Sequence, residues 1–292
     1  MTNIKNERRV ILITGATSGI GREAAFALAR QGAHVIVHGR DQAKTESLKQ
    51  EIIDATRNLF VDSIVADLFL LSEVRKVAAL INERYAQLDV LINNAGGLMG
   101  LQRETTSEGH EKTIALNLLA PFLLTGLLLD KLKKSSDGRI INVSSVAHKQ
   151  LAKPDFTDIE NQNRYSVAKA YGDAKLYLIL VSQKLSRKLE KGGFENITVN
   201  TLHPGLVASN FLGGSGLTGL IKWIGKLSIP FSKTAAEGAE TIIYLASSND
   251  VKGVSGKYFN NGKPEKIGRK YDFPKNENTV WTYCEHAADI VY

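Results

Sequence analysis

Short apolar runs alternate with longer amphipathic stretches along most of this chain. The runs typical of buried parallel strands lie at 9–14, 33–37, 61–65, 88–92, 138–143, 197–202 and 256–259. Between them, apolar side chains recur every three or four residues, which predicts helices over 22–31, 44–55, 72–85, 116–134, 165–189 and 234–247. Such alternation implies right-handed crossovers. We therefore expect a single α/β domain over residues 1–292, with a doubly wound parallel sheet of about seven strands and helices on both faces.

Three stretches do not follow this alternation. Ala147 to Asn163 lacks periodicity and is predicted to be a loop beside the functional site. Ala208 to Lys233 combines glycines with large apolar side chains. That composition is typical either of a mobile lid over an apolar ligand or of an amphipathic helix packed on the domain. The tail after Asn260 is polar, and only a short helix near Thr279 to Glu285 is predicted there.

Charge and composition narrow the classes of partner. The formal charge is +7, but the basic residues are scattered and no aromatics are interleaved with them, so no nucleic-acid partner is expected. The longest apolar run, 116–129, contains polar residues and is too short to span a bilayer, so no transmembrane segment is expected. A single cysteine, Cys284, excludes an intrachain disulfide and fits a reducing compartment, and a cytoplasmic protein is predicted.

A glycine-rich turn joins the first predicted strand to the first predicted helix. Glycines permit a tight turn and close approach of a pyrophosphate to the backbone, and the helix N-terminus offers N–H donors. The spacing is G-x3-G-x-G rather than G-x-G-x-x-G, and a glycine turn alone could be structural. Strand, turn and helix in this order nevertheless predict a nucleotide site. The predicted contacts are Gly15, Thr17, Ser18, Gly19, Ile20 and Gly21.

The end of the second strand distinguishes the two nicotinamide dinucleotides. In dinucleotide-binding folds an acidic residue there accepts from the ribose 2′-hydroxyl, whereas an arginine accommodates a 2′-phosphate. Gly39 and Arg40 hold that place, and Asp41 is predicted to cap the next helix. NADP(H), contacted by Arg40, is the predicted cofactor. His34 and His38 lie about 13 Å apart at strand rise, too far for a metal pair, and no metal site is predicted.

The longest predicted helix carries two Tyr-x-x-x-Lys pairs, Tyr165 with Lys169 and Tyr171 with Lys175. A tyrosine and a lysine four residues apart share one helix face, so the ammonium favours the ionised phenol and lowers its pKa. The pairs are offset by six residues and would point about 120° apart, so both cannot face one site. Spacing alone does not decide between them.

Five motifs, in this order, resemble those of the short-chain dehydrogenase/reductase superfamily over essentially the whole chain. They are TGATSGIG at 14–21, NNAG at 93–96, NVSS at 142–145, YGDAK at 171–175 and HPG at 203–205. Longer segments such as DVLINNAGG and TVNTLHPGLV are similar to the retinol dehydrogenase and WW-domain-oxidoreductase-like branch. The resemblance implies a Rossmann fold and hydride transfer between NADP(H) and a carbonyl or alcohol with an apolar body. A homodimer is left open.

The resemblance also implies roles for single residues. Tyr171 rather than Tyr165 would be the general acid/base, and Lys175 would bind the nicotinamide ribose and lower the tyrosine pKa. Ser145 would hold the substrate oxygen, and Asn117 would anchor a water of the proton relay. The further implied cofactor contacts are Tyr171, Lys175, Asp67, Leu68, Asn94, Ala95, Gly96, Pro204, Gly205 and Val207.

On this basis residues 9–145 would form mainly the dinucleotide-binding half, 146–260 the catalytic helix and lid, and 261–292 a tail. Two other functions remain open. A regulatory protein that binds NADP(H) without turnover would keep the glycine turn, although the intact set Asn117, Ser145, Tyr171 and Lys175 speaks against it. A sugar-nucleotide epimerase of the extended relatives would need a larger substrate region after Gly205.

Overall fold

The computed structural model describes residues 8–205, 233–267 and 274–292. Within these ranges an eight-stranded sheet forms the centre of the fold, in the order β3-β2-β1-β4-β5-β6-β7-β8. The strands are β1 (Val10–Ile13), β2 (His34–Gly39), β3 (Val61–Val65), β4 (Val90–Asn93), β5 (Gly138–Val143), β6 (Ile197–His203), β7 (Tyr258–Asn260) and β8 (Lys263–Glu265). The doubly wound parallel sheet is confirmed. The predicted strand count was one short, because β8 adds to β7 as an antiparallel hairpin.

Helices cover both faces of the sheet. They are α1 (Gly19–Arg30), α2 (Gln42–Thr56), α3 (Leu71–Arg84), α4 (Lys112–Lys133), α5 (Ala147–Gln150), α6 (Val167–Lys191), α7 (Ala235–Ser247) and α8 (Pro274–Ala287). The α1, α2 and α7 helices supply buried side chains to one core, and α3, α4, α6 and α8 to the other. In β1, Ile11 and Ile13 enter the first core while Leu12 enters the second. Both faces of such a strand are buried, and this is why the strands appear in the sequence as continuous apolar runs.

The α4 helix begins earlier than the apolar run indicated. Among the described residues it alone is long and apolar enough to cross a membrane by length and composition. Because most of it is buried inside the domain, its packing is that of a core helix. The sequence underestimated its length because Lys112 to Ala115 precede the run, and the Glu111 carboxylate caps this first turn.

The C-terminal tail is part of the core, which its polar composition did not indicate. The predicted short helix is instead the 14-residue α8, and its Val280, Trp281 and Cys284 side chains are buried. The Trp281 ring packs edge-on against Phe122 of α4, with 5.0 Å between ring centroids. These side chains pack on the core that α4 and α6 share, so a short apolar stripe on one face of an otherwise polar helix joins it to the domain.

Candidate active site

The carboxyl ends of four neighbouring strands bring the predicted motifs together. The Asn94 side-chain amide donates to the carbonyls of Thr14 and Gly15, at 2.9 Å in both cases. The Ser144 N–H donates to the Leu202 carbonyl at 2.7 Å. Because parallel strands end at one edge of the sheet, the glycine turn and the NNAG, NVSS and HPG motifs form one continuous crevice edge.

The glycine turn lies too close to the NNAG motif for side chains. Gly15 has a φ of 63°, and a Cβ there would lie 2.8 Å from the Ala95 Cα. A Cβ on Gly21 would lie 2.4 Å from the Asn94 amide nitrogen. The first turn of α1 carries no acidic residue, and Ser18 makes no side-chain capping bond. The N–H groups and positive dipole of α1 are therefore suited to an anion, as a pyrophosphate site requires.

His38 holds the glycine turn, a contact that sequence reasoning missed. Its Nδ1 accepts from the Gly15 N–H at 3.2 Å, and its Nε2 lies 3.1 Å from the Ala66 carbonyl. Because a carbonyl only accepts, Nε2 carries the proton and the ring is neutral. Burial lowers the pKa of His38 to about 4, which agrees with this assignment. The sequence signal for this contact is the position of His38 beside Gly39 at the end of a buried strand.

No metal site is found among the described residues, where no three His, Cys, Asp or Glu side chains converge.

The end of β2 keeps an arginine exposed and excludes a side chain before it. A Cβ on Gly39 would lie 2.4 Å from both the Thr17 methyl and the Thr45 hydroxyl. Asp41 accepts from the Lys44 N–H at 3.0 Å and caps α2, as predicted. Arg40 is exposed and makes no ion pair within the described parts of the chain. Its guanidinium is thus available to a phosphate.

Two predicted cofactor contacts follow β3. Asp67 accepts from the Phe69 N–H at 3.2 Å, which fixes the turn after the strand. The Leu68 side chain belongs to the apolar core and is only 4% exposed. Only its backbone is left to meet a cofactor, because the side chain is used for packing.

Tyr171 and Lys175 lie on the buried face of α6, beside Ser145. The Tyr171 and Ser145 side chains are hydrogen-bonded. The Lys175 ammonium lies 5.7 Å from the Tyr171 ring centroid and donates to the Val143 carbonyl at 2.9 Å. The Ser144 hydroxyl donates to the Lys175 carbonyl at 2.9 Å and so ties α6 to the end of β5.

Burial dominates the titration of both α6 residues. It raises the pKa of Tyr171, against which the hydrogen bond from Ser145 acts. It also lowers the pKa of Lys175 to about 7. Lys175 was expected to lower the pKa of Tyr171, but in this structure the tyrosine pKa is raised. A buried lysine that is half neutral near pH 7 stabilises a phenolate only weakly.

Asn117 lies on a widened π turn of α4, Ala115–Leu119. Its amide oxygen accepts from the Gly97 N–H at 3.1 Å, and its amide nitrogen donates to the Gly97 carbonyl at 3.0 Å. A Cβ on Gly96 would lie 2.7 Å from the Asn117 amide oxygen and 3.0 Å from the Lys175 ammonium. Because Gly96 has no side chain, its backbone stays uncovered next to Asn117 and Lys175, and a sugar ring could approach it closely.

The second Tyr-x-x-x-Lys pair faces elsewhere. The prediction that Tyr165 lies on the helix was wrong, because Ser166 caps α6 and the helix begins at Val167. The Tyr165 hydroxyl donates to the Gly100 carbonyl at 2.9 Å, and Lys169 pairs with the buried Asp173 at 2.7 Å. The structure therefore separates the members of this pair.

The HPG motif continues the crevice edge after β6. The His203 Nδ1 accepts from the Gly205 N–H at 3.1 Å, and Gly205 has a φ of 87° that favours glycine. Pro204 lies between them and is half-buried. Val207 and the predicted lid, apart from Lys233, lie outside the described residues.

Comparison with known proteins identifies the family. The profile described as short chain dehydrogenase matches residues 9–216. Retinol dehydrogenase 12 of Mus musculus is 38% identical over 285 residues, which cover 97% of this chain and 88% of that protein. Short-chain dehydrogenase TIC 32 B, chloroplastic, of Brassica napus is 41% identical over 258 residues, 85% of this chain and 78% of that protein.

A solved structure has the same architecture. The Pseudomonas aeruginosa RhlG/NADP active-site complex matches with a TM-score of 0.67 and 28% identity, over 86% of this chain and 93% of that one. Fold, motif positions and sequence identity agree. The chain belongs to the short chain dehydrogenase family, as an oxidoreductase of its retinol dehydrogenase-like branch.

Proposed function

We propose that this protein is an NADP(H)-dependent reductase or dehydrogenase that acts on the carbonyl or alcohol of a small molecule with an apolar body. The observation that carries the proposal is the grouping of Ser145, Tyr171 and Lys175 beside a glycine turn built for a pyrophosphate. The nicotinamide ring, when bound, supplies or accepts the hydride. The protein residues hold the reacting oxygen and move its proton.

The choice of NADP(H) rests on the end of β2. An acid that would accept from a ribose 2′-hydroxyl has no room at position 39, because a Cβ meets Thr17 and Thr45 at 2.4 Å. Arg40 follows directly, exposed, and its five guanidinium donors match a 2′-phosphate. The similar RhlG structure is a complex with NADP, which supports the same choice. The pyrophosphate would lie over the α1 N-terminus, and the nicotinamide ribose beside Gly96 and Lys175.

In this proposal Tyr171 donates a proton to the carbonyl oxygen during reduction and accepts it during oxidation. Ser145, hydrogen-bonded to Tyr171, also bonds the substrate oxygen as negative charge develops on it. The phenolate left after reduction needs a nearby cation because burial disfavours it. Lys175, whose ammonium lies 5.7 Å from the Tyr171 ring centroid, is that cation when protonated.

The apolar character of the substrate rests on the relatives. The name retinol dehydrogenase refers to an alcohol with a long hydrocarbon body. A cellular excess of NADPH would favour the direction of carbonyl reduction. The predicted lid over this substrate stays a prediction.

The test compares phenylalanine substitutions of Tyr171 and Tyr165. Their turnover of aliphatic and aromatic aldehydes and ketones is measured with NADPH and with NADH. We expect NADPH oxidation by the unaltered protein, and loss of turnover by at least about a hundredfold in Tyr171→Phe with NADPH affinity unchanged. Tyr165→Phe is the matched control and should keep kcat, since the Tyr165 hydroxyl bonds the Gly100 carbonyl and Thr113 rather than Ser145.

Two results would contradict the proposal. Binding of NADPH without turnover of any carbonyl or alcohol would favour a regulatory protein. Full activity of Tyr171→Phe would remove this residue from the proton transfer.

A further inference from the structure

A single carboxylate, Glu160, collects hydrogen-bond donors from two separate parts of the chain, the 97–111 region and α8. Its Oε1 accepts from the Tyr283 hydroxyl at 2.6 Å and lies 3.1 Å from the His110 Nδ1. Its Oε2 accepts from the Glu111 N–H at 2.9 Å and from the Arg103 guanidinium at 3.3 Å. The side chain is 13% exposed. Burial disfavours the charged carboxylate, but these bonds outweigh it and lower the pKa of Glu160.

The first loop, residues 97–111, contains Arg103, His110 and Glu111. Both of its ends help to hold Asn117 in place. Its first residue, Gly97, exchanges two hydrogen bonds with the Asn117 side chain. Its last residue, Glu111, is fully buried, and its carboxylate accepts from the N–H groups of Thr113 and Ile114 at 2.8 and 2.9 Å. The position of this loop therefore fixes the start of the helix that carries Asn117.

Glu160 itself belongs to the second loop, residues 146–166, which begins directly after Ser145 and, unlike the unbroken loop predicted from the sequence, includes the short helix α5. It ends at Ser166, whose hydroxyl caps the helix that carries Tyr171. The Tyr165 hydroxyl, near its end, bonds the Gly100 carbonyl of the first loop at 2.9 Å. The two loops thus follow the ends of the neighbouring strands β4 and β5 and are joined to each other.

We propose that Glu160, His110 and Tyr283 form a clasp through which the C-terminal helix α8 positions the two loops around the substrate. The three are positioning residues, since none of them touches Ser145, Tyr171 or Lys175 in the described contacts. The inference rests on the proposed function for its link to substrate. It gives the tail a function, because Tyr283 is the α8 side chain that reaches the carboxylate.

The clasp is proton-dependent through His110. Its Nδ1 faces the Glu160 carboxylate, and its ring also faces the Ala287 carbonyl at the end of α8. Both partners only accept, so the imidazolium satisfies both and the neutral ring satisfies one. The surrounding charges are Glu160, Glu108, Arg103 and Glu111, with Tyr283 on α8.

The hydrogen bond to Glu160 raises the pKa of His110 against the effect of burial. A raised histidine pKa contributes stability that is fully present below the unfolded value, about 6.5, and is lost as the pH rises through the folded value. The clasp is therefore complete in mildly acidic solution and loosens in alkaline solution.

The first experiment compares Tyr283→Phe with Tyr85→Phe in the carbonyl assay. Both tyrosines donate to a carboxylate at 2.6 Å, but Tyr85 bonds Asp62 at the amino end of the sheet. We expect Tyr283→Phe to raise KM for the carbonyl substrate about tenfold, with kcat and NADPH affinity within about twofold, and Tyr85→Phe to change neither constant. An unchanged KM in Tyr283→Phe would overturn the clasp.

The second experiment needs no turnover and so separates failure of the clasp from failure of the proposed function. Amide hydrogen exchange of 97–111 and 146–166 is measured on the unaltered protein at pH 6.0 and 8.5, corrected for the intrinsic pH dependence of exchange. We expect protection of both loops to fall about tenfold at the higher pH, and to be equal at both pH values in His110→Gln. His34→Gln, which loses a 2.7 Å contact with Asp62, is the control and should behave as the unaltered protein.

Equal protection of the loops at both pH values in the unaltered protein would refute the proton-dependent clasp, whatever the enzyme assay gives. If the protein turns over no carbonyl but its loops respond to pH through His110, the clasp stands and the proposed function falls. If protection from amide exchange fell at the higher pH in α8 but not in the two loops, Tyr283 would be an ordinary core contact and the clasp would be refuted.

Discussion

At the residue scale, the crevice is shaped as much by missing side chains as by present ones. Gly15, Gly21, Gly39 and Gly96 each lie where a Cβ would come within 3.0 Å of a neighbouring atom. Two of these close contacts are made by reactive or recognition groups, the Lys175 ammonium and the Asn94 amide. Substitution at these positions is expected to cost stability before it changes specificity, so exposed neighbours are the better targets for altering function.

Cofactor preference is testable at Arg40. An acidic side chain at position 39 is not a suitable exchange toward NAD(H), because a Cβ there would lie 2.4 Å from Thr17 and Thr45. We expect Arg40→Ala alone to weaken NADPH binding about tenfold or more, the value of a charge-assisted hydrogen bond, and to leave NADH binding unchanged. Titration of both cofactors by fluorescence checks this, and equal losses for the two would disprove a 2′-phosphate contact.

At the element scale, the glycine turn depends on β2 and β3 for its shape. His38, on β2, connects the glycine turn to the end of β3: its ring accepts from the Gly15 N–H and donates to the Ala66 carbonyl. Its backbone carbonyl also accepts from the Ala16 N–H at 2.8 Å. A buried neutral histidine is an acid-sensitive support, because its protonation removes the acceptor that Gly15 uses. The cofactor site therefore depends on an element that contains none of the recognised motifs.

The His38 support predicts a pH dependence of stability. The folded pKa of about 4 is below the unfolded value of about 6.5, so the unfolded chain binds the extra proton first and stability falls as the pH drops through this window. Between pH 7 and pH 5 the loss is about 2 kcal/mol. Urea unfolding at the two pH values should show it in the unaltered protein and not in His38→Gln. The same loss in both proteins would assign it to other groups.

At the scale of the whole molecule, the C-terminal helix completes the core on the α6 face of the sheet. The Trp281 ring is 2% exposed and meets Phe122 and Tyr292 with centroid separations of 5.0 and 5.2 Å. Cys284, the only thiol of the chain, is fully buried beneath the same helix, and burial raises its pKa. A thiol in this state is unreactive unless the helix leaves, so it reports on the docking of α8.

We expect Trp281→Ala to lower the free energy of unfolding by about 3–5 kcal/mol, as for other large aromatic side chains removed from a core. Labelling of Cys284 by a thiol reagent should accelerate by at least about a hundredfold. Thr282→Ala, at an exposed position of the same helix, is the control and should leave both quantities unchanged. A Trp281→Ala protein as stable as the parent would show that the tail is an appendage.

The sequence by itself determined the alternation of strands and helices, the motif order and the candidate residues, because strand and helix periods and glycine turns are local properties. From these the doubly wound sheet and the family were predicted correctly. The cytoplasmic location, the homodimer and the lid stay predictions. The tertiary structure alone shows that Tyr171, the tyrosine favoured by the resemblance, is hydrogen-bonded to Ser145, that His38 supports the glycine turn, and that Tyr283 reaches Glu160. Each of these is a contact between residues far apart in the chain, and its geometry depends on how the helices and strands pack.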